Sequence, residues 1–428
     1  MEQTSLRGIA NKAAQNKDYR FRNLFGLLTA GFLFWCWEFL NKKASAGVDR
    51  IDATQYESNL IPNIKALAEN VKQGTYRARL VLRKYIPKGE GKERPLGITA
   101  IADKLLQQAV AKILEAIYEQ DFYDCSYGYR PRTGAHKAIK SLSEALMTKR
   151  YHYVVEADIK GYFNNIDHQK LMDMLEKRID DKPFLKLIKK WLKAGILDKH
   201  QVIYPEAGTP QGGTISPILA NIYLHHVLDD WFHQTVKIHC RGQSYLCRYA
   251  DDFVCAFETE KDAQRFYKAL KQRLNKYNLE VAEDKTQLMQ FSPIRQRGQT
   301  RFDFLGFEFS WGLSRKIGKR CRIAIIKRRT SRFKLRASLQ NFKAWLKVNA
   351  RLPKKILFDR LNRKLQGYFR YYGIIGNYKS LHTYAYYFVG YLYKWLNRRS
   401  QRKSHNWEGF REMVKHFGLA RPRIYHKF

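Results

Sequence analysis

LCRYADDFVCAF, residues 246–257, is the stretch on which the reading of this chain turns. Apolar and aromatic residues flank a central Asp251–Asp252 pair, and the flanks favour extended backbone, so the segment reads as strand, tight turn and strand. Neighbouring side chains of a regular strand face opposite ways, but at a hairpin tip both carboxylates can approach one surface. Like charges that close raise a pKa unless cations compensate. Taken alone the tip is an ordinary polar turn, because Asp is common in turns. A third aspartate changes that reading: Asp158 ends another β-rich run, YHYVVEADIKGYF (151–163).

Outward from these two runs the order is β, α, ββ, α, β over residues 151–290. PILANIYLHHVLDDWF (217–232) has helical character, with Ser216 as its cap and Pro217 at its first position. KDAQRFYKALKQRLNKYNL (261–279) is helical and leads to a short strand ending near Phe291. This is the split βαβ arrangement, with helices on one face of an antiparallel sheet. If the two strand segments are neighbours, Asp158 converges on Asp251 and Asp252. Three carboxylates make a hard-oxygen site of the kind that holds Mg2+ together with substrate phosphates. Two such ions, roughly 3.5–4 Å apart, suit activation of a 3′-hydroxyl and release of pyrophosphate.

The charge balance agrees. The chain has 428 residues, 79 Lys and Arg against 39 Asp and Glu, and a formal net charge of +40. From Arg315 to Phe428 there are 31 basic and 3 acidic residues, against 48 and 36 before them. That excess attracts polyanions, and nucleic acid is the expected partner, ahead of a membrane surface. At 45% hydrophobic residues the chain has material for a sizeable core. The six cysteines form no C-x-x-C pair and match no paired-histidine spacing, so scattered thiols in a reducing cytoplasm are expected rather than disulfides or zinc.

Elsewhere, residues 1–80 read as helices broken at 44–49 and near Gly74. FGLLTAGFLFWCWEFL (25–40) is short for a membrane span and contains Glu38, so a buried amphipathic helix is expected. LVLRKYIPKGEGKERPLGI (80–98) reads as a hairpin turning at Gly89 and Gly91, residues 102–122 as a helix, and RFDFLGFEFSW (301–311) as a strand pair. Beyond 325 the chain reads as helical, basic and aromatic. The hairpin carries Lys88, a point charge, and Arg94, a fork, both suited to phosphate oxygens. In TPQGGTISP (209–217), Gln211 precedes two glycines that permit close backbone approach to a sugar or base.

The YADD box at 249–252, Asp158 in the box before it and TPQGG at 209–213 resemble a reverse transcriptase in order and spacing. KKASAGVD (42–49), RKYIPKGEGKERPLGI, SYGYRPRTGAHKAI (126–139), GTPQGGTISPILANIYL, RYADDF and FDFLGFEF are similar to the group II intron-encoded type, over nearly the whole chain. The resemblance implies an α+β right-hand polymerase with fingers, a split-βαβ palm and a helical thumb. It places an N-terminal helical extension at 1–80, fingers at 81–150, palm at 151–312, the thumb or maturase domain at 313–400 and a short basic tail, a remnant DNA-binding segment, at 401–428. It implies that Asp158, Asp251 and Asp252 are the catalytic metal carboxylates, holding two Mg2+ ions with Mn2+ as a substitute. Lys88 and Arg94 match triphosphate-binding residues, and Gln211 a residue beside the incoming nucleotide. Phe163 matches the bulky gate against a ribose 2′-hydroxyl, and Lys285 a general acid for pyrophosphate.

Aromatics in LQGYFRYYGI (365–374) and YFVGYLYKWLNRRSQRK (387–403) suit either base stacking or a core, and Arg398, Arg399, Arg402 and Lys403 suit phosphate contacts. The implied partners are an RNA template, a DNA or RNA primer, dNTPs, group II intron RNA and target DNA. The chain reaches Phe428 without a Cys/His cluster for an HNH-type nuclease, as expected of the endonuclease-lacking type. The alternatives are a splicing-only maturase, which an eroded YADD box would favour, and a free-standing enzyme in antiphage defence or DNA repair.

Overall fold

The computed structural model describes residues 2–89, 92–209, 212–293, 300–314, 323–399 and 405–428. The run around Asp158 forms β3 of the chain's eleven described strands. In order these are β1 (Val81–Gly89), β2 (Lys92–Ile98), β3 (Tyr153–Asp158), β4 (Ile196–Asp198), β5 (Gln201–Ile203), β6 (Ser244–Tyr249), β7 (Asp252–Phe257), β8 (Gln287–Gln290), β9 (Arg301–Phe304), β10 (Phe307–Leu313) and β11 (Ala324–Thr330).

The central sheet has the order β6-β7-β3-β8. Numbered as the first to fourth strands of the expected motif, these lie as second, third, first, fourth, which is the split βαβ pattern. Val154, Val155 and Ala157 of β3 and Phe253, Val254 and Cys255 of β7 are fully buried. The apolar flanks of the two aspartate-bearing runs are thus sheet interior, and the aspartates mark where each run leaves it.

Contacts divide the chain into two compact units. The first holds residues 1–138, 157–255 and 261–288. Within it, β1 and β2 form the expected antiparallel hairpin, with Leu82 opposite Ile98 and Ile86 opposite Arg94. β4 joins β1 in parallel and carries β5 on its other side. Helix Ile101–Tyr118 is buried almost throughout, and Asp103 inside it is held by the Tyr76 hydroxyl at 2.5 Å.

The second unit holds residues 139–156, 256–260 and 289–428. β10 lies between β9 and β11. Helices Arg332–Asn349, Lys354–Tyr372, Tyr378–Leu396 and Trp407–His416 bury Phe342, Leu361, Phe369, Phe388 and Phe410 in one core, in which Phe342 and Phe388 stack at 3.5 Å. Buried Asn377 pins that bundle to β11, with each polar atom of its amide bonded to Thr330 at 2.9 Å.

Three expectations need correction. Residues 25–40 are not one helix: Phe25–Leu27 make a single 3-10 turn, then Thr29 caps a helix limited to Ala30–Trp37. The Thr29 hydroxyl accepts from the Phe32 amide, so the chain has a local reason to restart there. Ser216 is the first helical residue rather than the cap, which is Ile215. Residues 324–330 are strand, not helix, because alternating β10 offers a pairing edge to AIIKRRT. No helix among the described residues is long and apolar enough to cross a membrane.

Candidate active site

The turn between β6 and β7 consists of Ala250 and Asp251. Ala250 takes φ +58°, in the left-handed region that two-residue hairpin turns require. A residue with a Cβ adopts that conformation at a cost, so something must hold it there. Two devices do. Gly128, in the SYGY segment, lies so close that a Cβ on it would stand 2.4 Å from the Ala250 amide nitrogen. Behind the turn, fully buried Arg248 donates to the Ala250 carbonyl at 3.1 Å.

Arg248 spends its other donors on three separate segments. Its guanidinium meets the Asp229 carboxylate in a two-pronged pair, at 2.8 and 2.5 Å. It also reaches Asn221 Oδ1 at 3.2 Å and Ser126 Oγ at 2.8 Å. Asn221 in turn donates to the Gly128 carbonyl at 2.7 Å, closing the circuit around the turn. Asp229 is as fully buried as Arg248, so neither charge is hydrated and each depends on the other. Sequence reasoning passed over these residues. The available signal was a cation inside an apolar strand, since Arg248 stands among Leu246, Cys247 and Phe253, all buried.

Asp158 ends β3, the strand next to β7. Its carbonyl accepts from the Ala282 amide at 2.8 Å, and Lys160 N–H donates to the Glu280 carbonyl at 2.9 Å. These bonds set the following turn, Glu283–Lys285, over the strand end, and Lys285 Nζ donates to Asp158 Oδ2. That contact holds the Lys285 pKa above its ordinary value. Burial, and next the charge of Asp158, push the Asp251 carboxyl above the usual carboxylate range, while Lys285 and Arg94 oppose the shift. The three aspartates are half-buried. Among the described residues their oxygens do not close into a single cluster within 4.8 Å. The donor set still fits hard divalent cations: all oxygens, from three half-buried carboxylates at one end of one sheet, whose charge a cation would stabilise.

Phe163 lies in the 3-10 turn Tyr162–Asn164, half-buried and edge-on to Tyr162 and Tyr129, with centroids at 5.5 and 6.3 Å. Its carbonyl accepts from the Thr209 amide at 2.7 Å, which ties the turn to the start of the TPQGG loop. Gly212 in that loop has φ +108°, and a Cβ there would meet the Gly97 carbonyl of β2 at 2.7 Å. Tyr129 links the hairpin to the aspartates. Its hydroxyl pKa is raised by burial first and then by Asp251 and Tyr249, and lowered by Arg94. The structure therefore brings Asp158, Asp251, Lys285, Arg94 and Tyr129 into one electrostatic neighbourhood, with Asp252 opening β7 beside it.

Gln211, Arg402 and Lys403 lie outside the described residues, as do the side chains of Lys88 and Arg399. Arg398 is described, with its guanidinium 5.0 Å over the Trp395 ring. Of the aromatics expected to face either a core or a nucleic acid, Phe369 and Phe388 are core, while Tyr387 is exposed at 47%.

The reverse transcriptase (RNA-dependent DNA polymerase) family matches residues 86–309, which spans Lys88, Arg94, Phe163, the TPQGG loop, the three aspartates and Lys285. The chain belongs to that family. The reverse transcriptase is 30% identical to the group II intron-encoded protein LtrA of Lactococcus lactis over 464 aligned positions, covering 89% of this chain and 75% of that protein. It is 33% identical to protein YkfC of Escherichia coli over 58% of this chain and 74% of that one. An uncharacterized 91 kDa protein in the cob intron of Schizosaccharomyces pombe is 43% identical over 36% of this chain and 18% of its own length. The reverse transcriptase is thus an RNA-directed DNA polymerase with the right-hand polymerase fold, and enzymes of this family work with divalent metal ions.

Proposed function

We propose that this reverse transcriptase extends a primer on an RNA template at Asp158, Asp251 and Asp252, and that it also binds group II intron RNA to promote splicing and retrohoming into target DNA. One observation carries the site: the end of β3 and the β6–β7 turn stand at neighbouring positions of one sheet, with Lys285 on Asp158 and the charge of Asp158 felt at Asp251. The three aspartates would hold two Mg2+ ions, or Mn2+ in their place. When bound, the ions supply stabilisation of the attacking 3′-oxygen and of the departing pyrophosphate.

The other roles belong to this chain's own groups. Arg94, with Lys88, binds the triphosphate of an incoming dNTP. Phe163 fills the space a ribose 2′-hydroxyl would need. Lys285, kept protonated by Asp158, has a proton to hand to pyrophosphate. Gln211 packs beside the nucleotide. The basic second unit, with Arg398, Arg399, Arg402 and Lys403 near its end, holds the RNA through phosphate contacts. The free cysteines among the described residues suit a cytoplasmic protein.

Primer extension on an RNA template tests the reading. Asp251→Asn with Asp252→Asn should abolish cDNA synthesis while leaving intron RNA binding intact. Full-length cDNA from that variant would remove the assignment.

A further inference from the structure

Away from the aspartates, helix Ser216–Leu224 widens into a π-helical turn at His225–Asp229. In that geometry residues five apart come into line, as four-apart residues do on an α-helix. His225 and His226 therefore share a face with Asp230. Asp230 Oδ2 stands 3.2 Å from His226 Nδ1 and 3.7 Å from His225 Nε2. Among the described residues this is the one trio of His, Cys, Asp or Glu whose ligand atoms all lie within 4.8 Å of one another.

We propose that His225, His226 and Asp230 form a binding site for a divalent transition-metal ion of the zinc class.

The distances suit a shared ion, which would take the place of the 3.2 Å hydrogen bond between His226 Nδ1 and Asp230 Oδ2. Bonds of about 2.0–2.2 Å in tetrahedral geometry put neighbouring ligand atoms roughly 3.3–3.6 Å apart. The 3.2 and 3.7 Å separations bracket that span, and the longer one exceeds a hydrogen bond. His225 supplies a second observation. It is only 5% exposed, its Nδ1 is buried without a hydrogen-bond partner, and its Nε2 points at Asp230 across that gap. A metal bond at Nε2 would give this buried ring a partner that the 3.7 Å gap to Asp230 does not supply, while Nδ1 would stay unpaired.

The donor set selects the ion. Two imidazoles and one carboxylate suit Zn2+ and its neighbours, whereas Mg2+ and Ca2+ take oxygen ligands. The Asp230 side chain is 36% exposed, which leaves a way in and room for a water as fourth ligand. An outer layer is present too. The Tyr123 hydroxyl accepts from Gln234 Nε2 at 3.0 Å and its ring lies 5.6 Å from that of His225, a neighbour of the kind that orients ligating side chains. The site shares no residue with the three aspartates. It sits on the turn that carries Asp229, the buried partner of Arg248, so an ion here would clamp the support of the β6–β7 turn.

The test is calorimetric titration of the full chain with Zn2+ in excess Mg2+, together with the visible spectrum of the Co2+-loaded protein. The expected result is one Zn2+ per chain, a higher melting temperature with Zn2+, and a four-coordinate Co2+ spectrum. His226→Ala and Asp230→Asn should each weaken binding by at least about a hundredfold. Asp251→Asn should leave Zn2+ binding unchanged. Should His226→Ala fail to fold, Asp230→Asn carries the comparison, because that side chain is partly exposed. Absence of Zn2+ uptake by the unmodified chain overturns the proposal. So does uptake by Asp230→Asn equal to that of the unmodified chain.

Discussion

Replacing Arg248 with Met separates the two things that residue does. It removes the counter-charge of Asp229, which is fully buried and paired through both oxygens. Breaking a buried ion pair from one side costs about 3–5 kcal/mol, because the remaining charge stays dry and unpaired. The same change strips donors from the Ala250 carbonyl, Asn221 Oδ1 and Ser126 Oγ. Asp229→Leu added to Arg248→Met removes the stranded charge, and an apolar pair of that kind restores most of the lost stability. It does not restore the donor to Ala250, which is held at φ +58° next to Asp251. A shift of about 1 Å at a reacting centre costs about a hundredfold in rate. The assays are urea unfolding and single-nucleotide incorporation on a fixed RNA template and primer. The single variant should lose both stability and turnover. The double variant should regain stability while kcat stays down by tenfold or more, with the KM for dNTP little changed. A double variant that recovers both would refute the positioning role and leave Arg248 as scaffold alone.

Gly128→Ala pushes a Cβ to 2.4 Å from the Ala250 amide, so it should cut kcat by at least tenfold while thermal unfolding shows a folded protein. Phe163→Ala should let ribonucleotides be incorporated; unchanged discrimination in competition assays would count against the gate. RNA affinity should fall steeply with salt, by roughly 10³ or more between about 50 and 200 mM if six or more phosphates are contacted. A flat response in a filter-binding titration would argue against a broad electrostatic footprint.

Much of the aspartate region was legible because its signals are local. The 80–98 hairpin, the runs around Asp158 and Asp251 and the helices between them are set by period and turn chemistry, and the sheet order follows from their sequence. The Arg248 circuit was not legible in the same way. Ser126, Asn221, Asp229 and Arg248 are spread over more than a hundred positions, and each looks ordinary until the fold brings it to one guanidinium. The π-helical turn escaped for another reason: residues 217–232 carry a helical pattern, and pattern alone does not separate a four-residue from a five-residue stagger. At 25–40, apolar content suggested one helix, but Thr29 offers a cap in mid-run, and a local hydrogen bond outweighed composition.

The central claim is that Asp158 and the Asp251–Asp252 pair share divalent ions during nucleotide addition. Anomalous scattering from Mn2+ in a crystal of the enzyme with RNA template, DNA primer and a non-hydrolysable dNTP addresses it directly. Two peaks roughly 3.5–4 Å apart, liganded by Asp158 and Asp251 with Lys285 released from Asp158, are the expected result. Ions bound elsewhere, with Asp158 still held by Lys285 and coordinating nothing, would contradict the account.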